Sequence, residues 1–376
     1  MSQHQMLDYI REQPEAVANT LRRGQSRLSE LREMVARRHP QDVVVAGLGS
    51  SYTAAQMASP LLRRCLPAPT TVTVATEVGV DLGLPLGPGT LMVFVSRSGE
   101  RGGIVDAQRA ARQAGALCVA VTAVESSLLA QEADLVILTG EGPESTFAKT
   151  KSVMASTVAL MQLALALDLD QGEERSRVGG ALAQVPELLA VGIKDAERDS
   201  ARIGSWLARH QLVLVTGTAG NQGVAQEGAL KLQEAARMTA QWEETGNALC
   251  GSVAMLGPAW LFVGLVAHAD RALNLALLKL VHHFGADRLC IAEPGLALEE
   301  SVEELMLVPR AGDPLVAPLM FLPPMQLLTH QFALARGLNP DDQPFADVLL
   351  AAMLPPGREE PDWRPAPVQG GSSTAE

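Results

Sequence analysis

One repeated pattern constrains this chain more than any other. Short β-branched, apolar runs each end in Gly or Ser and lead into a helical stretch. Residues 41–51 read QDVVVAGLGSS, and similar runs stand at 71–76 (TVTVAT), 91–99 (LMVFVSRSG), 117–123 (LCVAVTA) and 134–140 (DLVILTG). Between them lie stretches such as YTAAQMASPLLRR and GIVDAQRAARQAG, with apolar residues at helical spacing. Short apolar strands alternating with helices predict a parallel sheet covered on both faces, the α/β doubly wound class.

The same grammar recurs further along. HQLVLVTGTAG precedes a helix through GVAQEGALKLQEAARM; strands are expected at WLFVGLVA, DRLCIAEPG and ELMLVP, and a last helix at PMQLLTHQFALARG. VVVAGLGSSYTAAQ and LVLVTGTAGNQGVAQ share the order strand, Gly-rich turn, helix, which points to an internal duplication. The organisation read from this is an N-terminal helix in 1–36 (one amphipathic helix over 5–36), a first unit over 37–170 closed by an apolar helix at 152–168, and a second unit over 195–350. The tail 355–376, rich in Pro, Gly and Ser, is expected to be disordered, with Trp363 as its one docking residue.

Composition excludes several classes. The 376 residues carry 30 basic and 42 acidic side chains, a formal charge of −12, which argues against nucleic acid as a partner. No apolar run of about 18 residues predicts a membrane span, and the polar N-terminus lacks the apolar core of a signal peptide. Cys65, Cys118, Cys250 and Cys290 form no CxxC pair, so the expectation is a cytoplasmic protein without a cysteine-built metal site. His282 and His283, about 100° apart on a helix, cannot share an ion. No metal and no cofactor is expected.

Three clusters carry chemistry. Ser96-Arg97-Ser98-Gly99-Glu100 stands where a strand ends and a helix begins, with Gly47-Leu48-Gly49-Ser50-Ser51 at a second such junction. Ligands of open α/β sheets bind at the carboxyl ends of strands, where helix N-termini and Ser hydroxyls suit a phosphate monoester. The same residues also serve as ordinary turns and caps. Glu227, Lys231 and Glu234 share one helix face; they suit proton transfer next to a carbonyl, and equally a solvated i,i+4 pair. Glu141-Gly142-Pro143-Glu144 and Lys149-Thr150-Lys151-Ser152 precede the long apolar helix, as caps or as anion contacts.

Together these segments resemble a tandem pair of sugar isomerase (SIS) domains, as in the isomerase half of glucosamine-6-phosphate synthase and in related sugar-phosphate deaminases and fructosamine-phosphate deglycases. The match runs over about residues 7–345. It rests on Gly49-Ser50-Ser51-Tyr52, Ala75-Thr76-Glu77, the loop Ser96 to Glu100, the segment Glu144 to Ser152 with Phe147 in place of Val, and above all Glu227-Gly228-Ala229-Leu230-Lys231-Leu232-Gln233-Glu234. The resemblance implies two doubly wound SIS domains and a homodimer with the site near the subunit interface. It implies that Gly49, Ser50, Ser51, Ser96, Arg97, Ser98, Glu144 and Thr150 bind the sugar phosphate. Glu234 would be the base moving a proton between C1 and C2 through an enediol or enolamine, with Lys231 and Glu227 organising its helix.

The sequence also departs from the family pattern. Cys250 stands where the family has the His that assists ring opening, and Asn247 replaces a Glu. A thiol of ordinary pKa about 8.5 is a poor substitute for an imidazole near neutral pH. Arg101 replaces a frequent Thr, and beside Arg97 it would favour a doubly charged anion. Asp342 to Leu349 replaces a tail whose Lys closes over the sugar. The expectation is a phosphosugar isomerase, deaminase or deglycase acting on an amino or keto sugar phosphate, one that is already open-chain or is opened by an unusual residue, with Cys250 the candidate among the catalytic residues, and not a glutamine-dependent synthase. No glutaminase domain is read. The alternative is a sugar-phosphate sensor without catalysis.

Overall fold

A computed structural model describes residues 4–79, 84, 86–100, 102–168, 172–342, 345, 348–349 and 352. Helices α1 (Gln5–Arg11) and α2 (Gln13–Arg38) lead into β1 (Asp42–Gly47), α3 (Ser50–Cys65), β2 (Thr70–Val74), β3 (Thr90–Val95), α4 (Gly102–Gln113), β4 (Leu117–Thr122), α5 (Leu128–Gln131), β5 (Leu135–Leu138) and α6 (Lys151–Leu167). The five strands form one parallel sheet in the order β2-β1-β3-β4-β5. Central β3 and β4 are buried at every residue, whereas edge strand β2 buries one of its five. That contrast is why the central runs read as continuous apolar segments.

Helix α7 (Glu173–Leu207) leads to the second unit: β6 (Leu212–Gly217), α8 (Gly220–Ala235), β7 (Thr239–Glu244), α9 (Thr245–Cys250), β8 (Trp260–Val266), α10 (Arg271–Phe284), β9 (Asp287–Ala292), β10 (Glu304–Leu307) and α11 (Pro318–Ala335). Its parallel sheet, β7-β6-β8-β9-β10, repeats the strand order of the first. One apolar cluster, from Met6 to Ala333, joins both units between the sheets. Separate clusters cover the outer faces beneath α4 and α10.

Three expectations shift. The N-terminal helix breaks at Glu12, because Pro14 suits a helix's first turn better than its interior. The boundary at 195 falls inside α7, which packs on α2 and α11. Strand β7, TAQWEE, went unread because it is an edge strand with exposed polar residues. The tail 355–376, with Trp363, lies outside the described residues.

The units meet where α8 crosses α3. A Cβ on Gly223 would stand 2.5 Å from the Met57 backbone nitrogen, and one on Gly220 would stand 2.9 Å from the Met57 carbonyl oxygen. Only glycine permits that approach, since backbone cannot yield as a side chain can. Gly223→Ala is therefore expected to lower stability by about 3 kcal/mol in urea denaturation. A change under about 0.5 kcal/mol would mean that the helices are not in backbone contact.

Candidate active site

In a sheet of this order the chain reverses direction between β1 and β3, and the crevice opens at their carboxyl ends. Gly47 has no room for a side chain, since its Cβ would lie 2.7 Å from the Tyr52 nitrogen. Gly49 turns the chain at φ +54° into α3, and Gly99 at φ +66° lies just ahead of α4. Both helix N-termini thus reach one cavity of about 1060 Å³, whose wall includes Gly49, Ser50, Ser51, Ser96, Arg97 and Ser98. Helix N-termini, hydroxyls and a guanidinium make an anion site. The Arg97 Nε is buried and has no hydrogen-bond partner among the described residues. Arg101 lies outside the described residues.

Helix α8 supplies the opposite wall through Leu230, Gln233 and Glu234. Glu227 is fully buried and accepts from Ser50 Oγ at 3.0 Å and Thr53 Oγ1 at 2.5 Å, both on α3. Lys231 Nζ lies 3.4 Å from Glu227 and donates to Glu234 as well. Burial alone would strip the Lys231 proton, but the charges of Glu227 and Glu234 outweigh it and hold the ammonium above the usual lysine range. Lys231 is thus held between two carboxylates, which favours its charged form. Only Glu234 of the three is on the cavity wall; its side chain is 17% exposed, against 0% for Glu227 and 1% for Lys231.

The loop before α6 divides its residues. Buried Glu144 accepts from the Thr150 nitrogen (2.6 Å) and hydroxyl (2.8 Å), the Lys151 nitrogen (3.1 Å) and the Ser152 hydroxyl (2.5 Å). It caps α6, and neither Glu144 nor Thr150 is among the residues lining the cavity. Burial alone would raise its pKa, but Lys149 and the Ser152 and Thr150 bonds hold it below the usual carboxylate range. Phe147, Lys149 and Ser152 do line the cavity. Cys250 ends α9 exposed and is not among the lining residues. Sequence reasoning missed the α8 residues Leu230 and Gln233, which the helical spacing to Glu234 signals. It also missed Phe345, Leu349 and Ala352, which close the cavity from beyond α11 and carry no local signal.

The second unit repeats the turn and then fills it. Ala219 adopts φ 49°, ψ −124°, against φ 54°, ψ −127° at Gly49. There the Asp270 carboxylate accepts from the Ala267 nitrogen at 2.8 Å and from the Thr218 hydroxyl. A side-chain carboxylate of the protein thus accepts from this second turn.

Glu141, at the end of β5, is buried, and neither carboxylate oxygen has a hydrogen-bond partner among the described residues. Burial pushes it up to about 6, partly opposed by the nearby Thr139 hydroxyl, by the backbone and then by the Arg97 charge. A carboxyl that holds its proton more tightly when folded stabilises below its unfolded pKa and loses that contribution as pH rises through 6. Glu141→Gln should gain about 2 kcal/mol relative to the parent between pH 4 and pH 7 in paired urea denaturations. A constant difference across that range would show that Glu141 does not ionise in isolation.

With this geometry in place, comparison with known proteins is informative. Residues 38–166 match the SIS domain family. The chain is 32% identical over 363 residues to glutamine–fructose-6-phosphate aminotransferase (isomerizing) of Streptomyces coelicolor, and 29% identical over 354 residues to that of Leifsonia xyli subsp. xyli. These alignments cover 90% and 89% of this chain, which spans 57% of the length of each relative. The C-terminal domain of glucosamine-fructose-6-phosphate aminotransferase from Francisella tularensis superposes with a TM-score of 0.80 over 91% of this chain and 99% of that one, at 24% identity. Among the described residues no helix is long and apolar enough to cross a membrane. Residues 38–166 are thus an SIS domain, and the chain is homologous to the isomerase domain of glucosamine–fructose-6-phosphate aminotransferase.

Proposed function

We propose that this chain moves a proton between C1 and C2 of an open-chain amino or keto sugar phosphate, as an isomerase, deaminase or deglycase does. The observation that carries the reading is Glu234. It is the cavity-facing end of a buried acid–lysine–acid row, in a cavity whose other wall is a Ser-rich anion site. In this reading Ser51, Ser96, Arg97 and Ser98 hold the phosphate, with the N-termini of α3 and α4 behind them. The phosphate fixes the sugar so that the carbon next to the carbonyl meets Glu234. Its carboxylate takes the proton, leaving an enediol or enolamine, and returns it to the neighbouring carbon. Lys231 offsets charge on the acid pair and holds Glu234 in register.

Cys250 is exposed at the end of α9 and does not line this cavity, so no ring-opening group of this chain is assigned, and the reading takes the substrate in its open form. A homodimer would bring Cys250 to a neighbouring site only if a partner copy seats α9 over the cavity mouth.

Proton NMR in heavy water, with hexose, hexosamine and fructosamine 6-phosphates, tests the proposal. Loss of a C1 or C2 proton signal is expected with the parent protein. Glu234→Gln should slow that exchange by about 10²–10⁴-fold while binding survives. Binding without exchange in the parent would favour the sensor. Arg97→Met should weaken binding of every phosphorylated member and leave unphosphorylated sugars unaffected; equal loss for both would remove Arg97 from the phosphate site.

A further inference from the structure

The proposed proton transfer leaves one buried acid of the first unit without a task. Glu141 follows β5 and is 5% exposed, and neither of its carboxylate oxygens has a hydrogen-bond partner among the described residues. Hydrogen bonds between strand ends set it next to the phosphate loop. The Arg97 carbonyl accepts from the Thr122 hydroxyl at 3.0 Å and the Ala123 nitrogen at 3.1 Å. The Thr122 carbonyl accepts from the Thr139 nitrogen at 2.9 Å, two residues ahead of Glu141. The ends of β3, β4 and β5 are thus tied together, with Arg97 on one side and Glu141 on the other. The buried Arg97 Nε lacks a partner as well. The neighbouring charges are already engaged. Glu144 accepts from the first turn of α6, and Lys149 donates to the carbonyls of Glu144 at 3.0 Å and Thr146 at 2.5 Å. Arg23 of α2 donates to the Thr139 carbonyl at 3.3 Å. Arg109, on the cavity wall, is held by the Glu132 carboxylate at 2.6 and 2.9 Å.

Resting on the reading of this loop as the phosphate site, we propose that Glu141 couples anion binding to the uptake of one proton. With the site empty, its carboxylate balances the Arg97 guanidinium. When a phosphate takes Arg97, Glu141 binds a proton from solvent and stands neutral beside it. The physical reason is that an anion at Arg97 and a carboxylate at Glu141 are like charges competing for one cation, in surroundings that screen them weakly. Burial has already brought Glu141 up to about 6, so a further push from the anion carries it toward neutral pH. The coupling is reciprocal: an anion that makes Glu141 hold its proton more tightly itself binds more weakly as pH rises. Glu141 is not among the residues lining the cavity and acts through Arg97, as a positioning residue.

Isothermal titration of the full chain with fructose 6-phosphate at pH 7, in two buffers of different ionisation enthalpy, measures the proton directly. A phosphate monoester, with its second pKa of about 6, releases a small fraction of a proton when bound as the dianion, so net uptake belongs to the protein. Net uptake is expected in the parent and in Glu234→Gln, which removes the acid on the cavity wall, and is expected to vanish in Glu141→Gln. Glucose 6-sulfate keeps its charge over this range. The parent should bind it about fivefold more weakly at pH 8 than at pH 6, and Glu141→Gln should bind it equally at both. Infrared difference spectra of the parent should gain a protonated-carboxyl band when fructose 6-phosphate is added, a readout independent of how any variant folds. Equal proton uptake in the parent and Glu141→Gln, or no new band, overturns the coupling and leaves the sugar-phosphate reading standing. If neither probe binds the parent, that reading falls and the coupling with it.

Discussion

The buried carboxylate of Glu227 is the interaction on which the site depends. A charge without access to water costs several kcal/mol unless partners surround it. Two of its partners, Ser50 and Thr53, belong to the first unit, and the third, Lys231, lies one turn along its own helix. Lys231 is buried in turn and keeps its proton because Glu227 and Glu234 flank it. Glu234 is thereby tied, through two charges, to the helix α3 that borders the cavity. The row forms only because Gly220 and Gly223 let α8 approach the α3 backbone closely. Packing of the units and assembly of the acid–lysine–acid row are one event.

The duplicated unit shows how the same backbone serves two ends. Both turns adopt nearly the same unusual dihedral angles, and in the second an alanine bears the strain. The first crevice sets hydroxyls and Arg97 at the N-termini of α3 and α4, an arrangement that suits an anion. The second carries Asp270, whose carboxylate accepts from Ala267 and Thr218 and puts a negative charge at the turn. The difference between a site and a sealed turn comes from side-chain charge, not topology. The loop before α6 follows the same logic: Glu144 turns inward to satisfy the N-terminus of α6, and so its neighbours Phe147 and Lys149 face the cavity.

Much of the fold was legible, for a physical reason. Central parallel strands are buried on both faces, so β1, β3, β4, β6, β8 and β9 must be nearly continuous apolar runs, which a reader sees at once. Edge strand β7 has no such obligation and was missed. The Glu227, Lys231, Glu234 spacing was also legible, but spacing alone did not separate a solvated pair from a buried row. Burial did. Glu144 and Thr150 read as ligand contacts because their segment matches a family pattern, and the structure gives both to the capping of α6.

The sequence by itself determined the alternation of strand and helix, the two repeated units, the turns that open the crevices and the helical face carrying the acid–lysine–acid row. All of these follow from local periodicity, glycine placement and short-range spacing. Only the tertiary structure decided that α8 crosses α3, that Glu227 is satisfied by the other unit, and that Asp270 bonds the second turn at Thr218. It alone brought Phe345 and Leu349 from beyond α11 against Phe147. Those outcomes depend on pairing between residues far apart in the chain. Desolvation and hydrogen-bond satisfaction set such pairing in three dimensions, and they leave no period in the sequence.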